Sequence, residues 1–175
     1  MQMRVLGIDP GTVATGWGVV ERHGQRLAFV AGGVIRARGA LPQRLRDMFD
    51  RTQSLLAEHA PSWVSLEKSF VGDNVQSAFR LGEARGAILV AAARAGVPVC
   101  EYSPAEIKVA VAGHGRASKE QMQIMVGRLL ALDGNMAGDQ ADALGAAICH
   151  LHTHEFQARV AQSTAARRPA ARRVR

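Results

Sequence analysis

Four acidic residues sit where acids are hard to explain as surface charge. Asp9 closes the apolar run Val5-Leu6-Gly7-Ile8 and precedes Pro10-Gly11. Glu67 closes a second run, Trp63-Val64-Ser65-Leu66. Asp139 and Asp142 stand three apart after Gly138, in a segment that reads as a helix start. A carboxylate at the end of a buried strand needs a partner, because removing a bare charge from water is costly. If the two strands are parallel neighbours, Asp9 and Glu67 leave the same edge of one sheet. Residues three apart on a helix share a face, and the first turn of a helix favours negative charge. Two carboxylates about 5 Å apart repel by roughly 3 kcal/mol at an effective dielectric near 20. Four brought together require protons or cations. Oxygen-only donors select hard ions such as Mg²⁺ or Mn²⁺. A pair of such ions about 4 Å apart is a common device for the in-line attack of water on a phosphodiester. Taken singly, each acid has a plainer reading. Asp139 can cap its helix, Asp142 can be a first-turn acid, and Asp9 can be a turn residue before Pro-Gly. Glu67 is the least easily explained, and only joint placement favours the metal reading.

The elements that must position these acids follow from the pattern of apolar residues. Val5–Asp9, Gly16–Val20 and Leu27–Ile35 read as three strands joined by short connections, hence an antiparallel meander. Apolar residues at 41, 45, 48, 49, 55 and 56 predict a helix over 41–60, stopped by Pro61. Trp63–Glu67 is a fourth strand, 69–74 a polar loop, and 75–95 an Ala-rich helix closed by Gly96. Val97–Tyr102 is a fifth strand. Ser103-Pro104-Ala105-Glu106 is a helix start with serine as cap, proline at the first position and glutamate at the third. Ser118 or its neighbour caps a helix to Leu132, and a last helix opens at Gly138 and reaches about His154. Three antiparallel strands followed by strand–helix alternation imply an α/β fold, a mixed five-stranded sheet with helices on both faces.

Bulk properties narrow the class. The 175 residues are 47% apolar, enough for one domain with a packed core. No apolar run approaches the roughly 18–20 residues of a membrane span, and no leader pattern opens the chain. Cys100 and Cys149 have neither metal-ligand nor disulfide-framework spacing and read as reduced, half-buried thiols of a cytoplasmic protein. The net charge of +7 is mainly a tail effect. Six arginines and no acid follow Gln157, which leaves 16 of the 22 basic residues against all 15 acids in 1–156. The expected organisation is one domain over 1–156 and a disordered basic tail over 157–175. His150 and His154 share a helical face, but with His152 they read as structural rather than as a zinc site.

At the level of motifs the sequence resembles the RuvC-type Holliday junction resolvases. The resemblance rests on Leu6-Gly7-Ile8-Asp9-Pro10-Gly11-Thr12 with Thr15-Gly16-Trp17-Gly18, and on Glu67-Lys68-Ser69-Phe70. It extends through Asn74, Ser77-Ala78, Leu81-Gly82 and Ala84-Arg85-Gly86 to Asp139-Gln140-Ala141-Asp142-Ala143-Leu144. It spans about residues 4 to 154. It implies a ribonuclease-H-like fold, a homodimer, and Mg²⁺-dependent paired symmetric nicking of four-way DNA junctions in recombination and repair. Mn²⁺ is expected to substitute for Mg²⁺, with two ions per site. Asp9, Glu67, Asp139 and Asp142 match the metal ligands, although some members carry histidine where Asp139 stands. Lys108 and Lys119 match lysines that contact DNA or assist at the scissile phosphate. Phe70 matches an aromatic residue held to wedge into the junction, and Arg80 is a further candidate DNA contact. A branch-migration helicase complex of the RuvA and RuvB type is the implied partner. Two other readings compete. A nucleotide phosphotransferase of the actin and sugar-kinase type also carries an Asp-Gly-Thr turn, but needs two such domains. A non-catalytic DNA-architecture protein would have no need of all four acids.

Overall fold

The computed structural model describes residues 2–68, 74–132 and 136–166. Five strands form one sheet: β1 (Gln2–Asp9), β2 (Ala14–His23), β3 (Arg26–Arg36), β4 (Trp63–Glu67) and β5 (Val99–Tyr102). Their order is β3-β2-β1-β4-β5. β1–β2 and β2–β3 are antiparallel, whereas β4 runs parallel to β1 and β5 parallel to β4. This is the expected mixed sheet. β2 is longer than the apolar run Gly16–Val20 predicts. Its polar extension Glu21-Arg22-His23 stays in the ladder because it pairs in register with Gln2, Met3 and Arg4. A bulge at Val30 interrupts the β2–β3 register between Val19 and Val20.

Side chains alternate across the pleat, and each face buries its own core. Leu6, Ile8, Val19, Val64 and Leu66 face α1 (Leu41–His59) and α2 (Val75–Arg94), where Met48, Leu55, Leu56 and Ile88 meet them. Val5 and Val20 face the other layer of α3 (Pro104–Ala112), α4 (Lys119–Leu130) and α5 (Gly138–Ala166). The starts of α3 and α4 follow their predicted chemistry, and α2 carries a cap that the sequence reading did not name. Ser103 and Glu106 form a reciprocal capping box on α3. Ser118 does the same with Gln121 on α4, and Asn74 caps α2 by accepting from the Ser77 amide.

α5 is the central helix of its layer. From Ala143 to Leu151 every residue is buried, because the sheet lies on one side and α3 and α4 on the other. Two glycines make this approach possible. A Cβ on Gly7 would stand 1.9 Å from the Ala143 carbonyl oxygen, and one on Gly16 only 1.8 Å from that of Asp139. Any side chain at either position would push the helix off the sheet. Ser65, fully buried in β4, donates its hydroxyl to the Ala146 carbonyl at 2.7 Å and pins the helix from the same face.

α5 also corrects an expectation. It does not end near His154 but continues to Ala166, so that 157–166 is helical rather than disordered coil. The segment holds four alanines and two glutamines, good helix formers, and Pro169 is the next proline in the sequence. Residues 167–175 lie outside the described residues. Cys149 is buried and Cys100 half-buried, both as free thiols. Among the described residues no helix is long and apolar enough to cross a membrane.

Candidate active site

The strand ends deliver the first two acids. Asp9 is the last residue of β1 and pairs with Gly16 across the β1–β2 ladder. Glu67 is the last residue of β4, one beyond the parallel pair Ile8–Leu66. Both continue the pleat positions of Gly7 and Ser65, so both carboxylates project toward α5. The bare backbone at Gly16 seats the carbonyl of Asp139 directly above the ladder position of Asp9. The first turn of α5 is therefore held over the strand ends, and Asp142 follows on the next turn.

These groups surround a cleft of about 250 Å³ lined by Asp9, Glu67, Asp142, Lys108 and Lys119, with Pro104, Ile107 and Met122 as an apolar wall. Asp139 does not line it but acts on Asp9 through space. Burial first, and then the negative charges of Glu67, Asp142 and Asp139, together raise the Asp9 carboxyl from 3.8 to about 7. Glu67 is also raised, first by burial and then by Asp142. Lys119 opposes both shifts and Lys108 opposes that of Glu67. Lys119, the first residue of α4, reaches Asp142 at 3.2 Å, and this bond holds its own ammonium above the ordinary range.

The donor set fits hard cations. It is all carboxylate oxygen, and the chain supplies too little positive charge to relieve the crowding, as the shift at Asp9 shows. Among the described residues no three acids, histidines or cysteines stand close enough together to hold a metal ion as they are placed. The carboxylates stand apart around the cleft, and Asp142 leans toward Lys119.

Other residues singled out in the sequence fall elsewhere. Arg80 is exposed on α2 and lines no part of the cleft. Phe70 lies outside the described residues. His150 is buried, its Nδ1 bonded to the Tyr102 hydroxyl at 2.9 Å and its ring against Trp63. Burial lowers its pKa to about 4, consistent with a neutral core histidine. Two supporting residues escaped the sequence reading. Ser65 was visible as a lone polar residue inside an apolar strand. Arg85 stood in the motif Ala84-Arg85-Gly86 with no role assigned: its Nη1 donates to the Glu67 carbonyl at 3.0 Å and it forms an ion pair with Glu101.

A sequence profile of the crossover junction endodeoxyribonuclease RuvC family matches residues 5–150. The chain belongs to this family. It is therefore a nuclease of the crossover-junction class. The RuvC of Cupriavidus metallidurans is 51% identical over 150 residues, covering 85% of this chain and 83% of that protein. The RuvC of Burkholderia thailandensis is 52% identical over 151 residues, covering 86% and 84%. Among solved structures, Thermus thermophilus RuvC in complex with a Holliday junction substrate superposes with a TM-score of 0.85 at 35% identity, covering 89% of this chain and 96% of that one. A second T. thermophilus RuvC structure gives 0.82 at the same identity, covering 89% of this chain and 97% of that one. The ribonuclease-H-like architecture of the RuvC structures is thus the fold of this chain.

Proposed function

We propose that this protein resolves four-way DNA junctions by hydrolysing one phosphodiester in each of two opposed strands. The observation that carries the reading is the meeting of Asp9, Glu67 and Asp142 at one cleft, with Asp139 close enough to raise Asp9 further. Asp9, Glu67, Asp139 and Asp142 would hold two Mg²⁺ ions, with Mn²⁺ as a substitute. Bound there, the ions would supply charge neutralisation of the scissile phosphate and an activated water.

The chain's own groups do the rest. The apolar wall of Pro104, Ile107 and Met122 keeps bulk water from one side of the carboxylates. Lys108 and Lys119 put two ammonium groups at the rim, where a phosphate would enter, and Lys119 can release Asp142 as a cation takes its place. Phe70 and Arg80 are proposed as junction contacts away from the reacting phosphate. Phe70, three residues after Glu67 in the sequence, would stack on an exposed base of the junction, a contact worth roughly 1–3 kcal/mol.

Paired nicks require two active sites, hence a homodimer. α2 offers the seam. Val75, Phe79 and Val90 are 63%, 71% and 59% exposed, and Gly82 and Gly86 have no atom near an added Cβ. Their spacing of 75, 79, 82, 86 and 90 follows one stripe of the helix, as in paired helices. Gly86→Arg should convert a dimer to a monomer in sedimentation equilibrium. The proposed setting is the cytoplasm, with a branch-migration helicase of the RuvA and RuvB type delivering the junction.

The decisive experiment is incubation with a synthetic mobile four-way junction and Mg²⁺, with the products mapped on a sequencing gel. Symmetric nicks in opposed strands are expected. Junction binding without Mg²⁺-dependent nicks would overturn the reading.

A further inference from the structure

Arg85 occupies an unusual place. It sits on α2, on the sheet side opposite the cleft, yet its guanidinium reaches the backbone of a residue whose side chain lines that cleft. Nη1 donates to the Glu67 carbonyl at 3.0 Å, and the Nη2 end forms an ion pair with Glu101 on β5. The Arg85 side chain is 16% exposed, so its charge is held mostly away from water.

The position of Glu67 explains why such a tie matters. The β1–β4 ladder ends at Ile8–Leu66. Glu67 retains strand pairing only on its other side, with Tyr102 of β5. The Lys68 amide continues that side by donating to the Tyr102 carbonyl at 2.7 Å. The strand end is therefore anchored laterally to β5 alone. Arg85 adds the second anchor. One planar group grips the Glu67 carbonyl and, through Glu101, the neighbouring strand. A guanidinium is suited to this because its donors are fixed in one fork. Fixing the peptide that follows Glu67 fixes the direction in which its Cα–Cβ bond leaves the sheet.

We infer that Arg85 is a positioning residue: by holding the Glu67 carbonyl against α2 and β5, it aims the Glu67 carboxylate into the cation cleft. The inference rests on the proposed role of Glu67 as a metal ligand. Groups that orient ligands from outside the ligand set typically matter 10–100-fold in metal affinity or activity.

The test compares Arg85→Ala, Arg85→Lys, Glu101→Gln and Glu67→Gln in the full-length protein. Three quantities are read: the rate of junction cleavage at saturating Mg²⁺, the Kd for the junction in Ca²⁺, and the Mn²⁺ affinity of the DNA-free protein by titration calorimetry. Arg85→Ala is expected to lower the cleavage rate and the Mn²⁺ affinity about 10–100-fold, with junction Kd changed less than about twofold. Arg85→Lys should recover part of both, because an ammonium can reach the carbonyl or Glu101 but not both. Glu101→Gln should have a smaller effect, since the bond to the carbonyl survives. If Glu67→Gln is inactive while Arg85→Ala matches the wild type in rate and Mn²⁺ affinity, the positioning role is wrong and the ligand reading stands. If Glu67→Gln itself cleaves normally, the ligand reading falls and the inference with it. Should Arg85→Ala fail to fold, Arg85→Lys and Glu101→Gln carry the test, and wild-type Mn²⁺ affinity in both would overturn the inference.

Discussion

Half-buried Asp9 and buried Glu21 are acids at opposite ends of the same pair of strands, and the protein treats them in opposite ways. At the far end of β2, Glu21 receives a hydrogen bond from Gln2, two from Arg4 at 2.8 and 3.2 Å, and the approach of His23 at 3.6 Å. These partners hold its carboxyl below the ordinary range, the Gln2 bond first. Arg4 in turn donates to the His59 carbonyl at 2.7 Å, which fastens α1 to the same corner. At the near end Asp9 meets burial and three further carboxylates, and its pKa rises to about 7. An acid kept for structure arrives with its counterions built into the chain. An acid kept for chemistry is left short of positive charge, so that a ligand from solution must supply it. A strongly perturbed carboxyl in a cleft is thus a functional candidate for a stated reason.

Exchanging the two acids for their amides should separate these roles. Asp9→Asn is expected to lower junction cleavage by at least the roughly 10²–10³-fold that loss of one preorganised electrostatic group costs. Junction binding should survive or tighten, because removing a negative charge cannot weaken attraction to phosphate. Cleavage above about a tenth of the wild-type rate would break the assignment. Glu21→Gln should do the reverse. It removes the charge from hydrogen bonds worth about 1.5–3 kcal/mol each when ionic and leaves Arg4 without a counterion, so unfolding in urea should shift to lower concentration. Its cleavage rate should stay within about twofold, since the site lies at the other end of the strands. A catalytic loss in Glu21→Gln with unchanged stability would contradict the division.

Lys119 tests the same idea from the cation side. It is the chain's own partial answer to the crowded carboxylates, bonded to Asp142 at 3.2 Å and 61% exposed. An exposed pair of this kind contributes little to stability, about 0–1 kcal/mol. Lys119→Met should therefore leave the Tm nearly unchanged while slowing cleavage. In the DNA-free protein it should tighten Mn²⁺ binding, because one competitor for Asp142 is gone. Weaker Mn²⁺ binding in Lys119→Met would show that the lysine helps to build the cation site rather than occupying its place.

The candidate site was more legible in the sequence than the scaffold that assembles it. Asp9 and Glu67 stood out because an acid at the end of an apolar strand contradicts burial, and Asp139 and Asp142 because three residues make one helical face. Nothing in local pattern tells which glycine meets which helix, so the close seating of α5 on Gly7 and Gly16 appears only in three dimensions. The same holds for Glu21 and Arg4, 17 residues apart in the chain and neighbours only through the β1–β2 register. Arg80 and Arg85 illustrate the limit on one helix. The sequence offered Arg80 as a candidate DNA contact and Arg85 only within Ala84-Arg85-Gly86, yet the two stand five positions apart on α2, Arg80 exposed to solvent and Arg85 bonded to the strand end. The end of α5 was misplaced for the opposite reason. The alanines and glutamines of 157–166 suit a solvated tail by composition and a helix by propensity, and α5 runs through them to Ala166.

The opposed pKa shifts also predict opposed effects of pH on stability, smaller than the effects on cleavage. The folded Asp9 binds its proton up to about pH 7, whereas the unfolded group releases it near 3.8. Between those values the native state holds more protons than the unfolded state, so its stability falls as pH rises. Above about 7 both states are ionised and the slope vanishes. Glu67 contributes in the same direction. Glu21 is lowered instead, so its stabilisation is complete above its ordinary value of 4.5 and is lost only as pH falls below it. Protein stripped of metal with EDTA should therefore lose Tm between pH 5 and 7.5. A loss on the order of 1 kcal/mol corresponds to about 2–4 °C for a chain of this size. Asp9→Asn should flatten most of that decline while keeping the acid-side loss that belongs to Glu21. Mg²⁺ should offset the decline most at the high-pH end, because the ion binds only the deprotonated ligands and stabilises the state it binds. An equal decline in Asp9→Asn would mean that other groups set the slope and that the crowding at Asp9 is relieved by the chain alone.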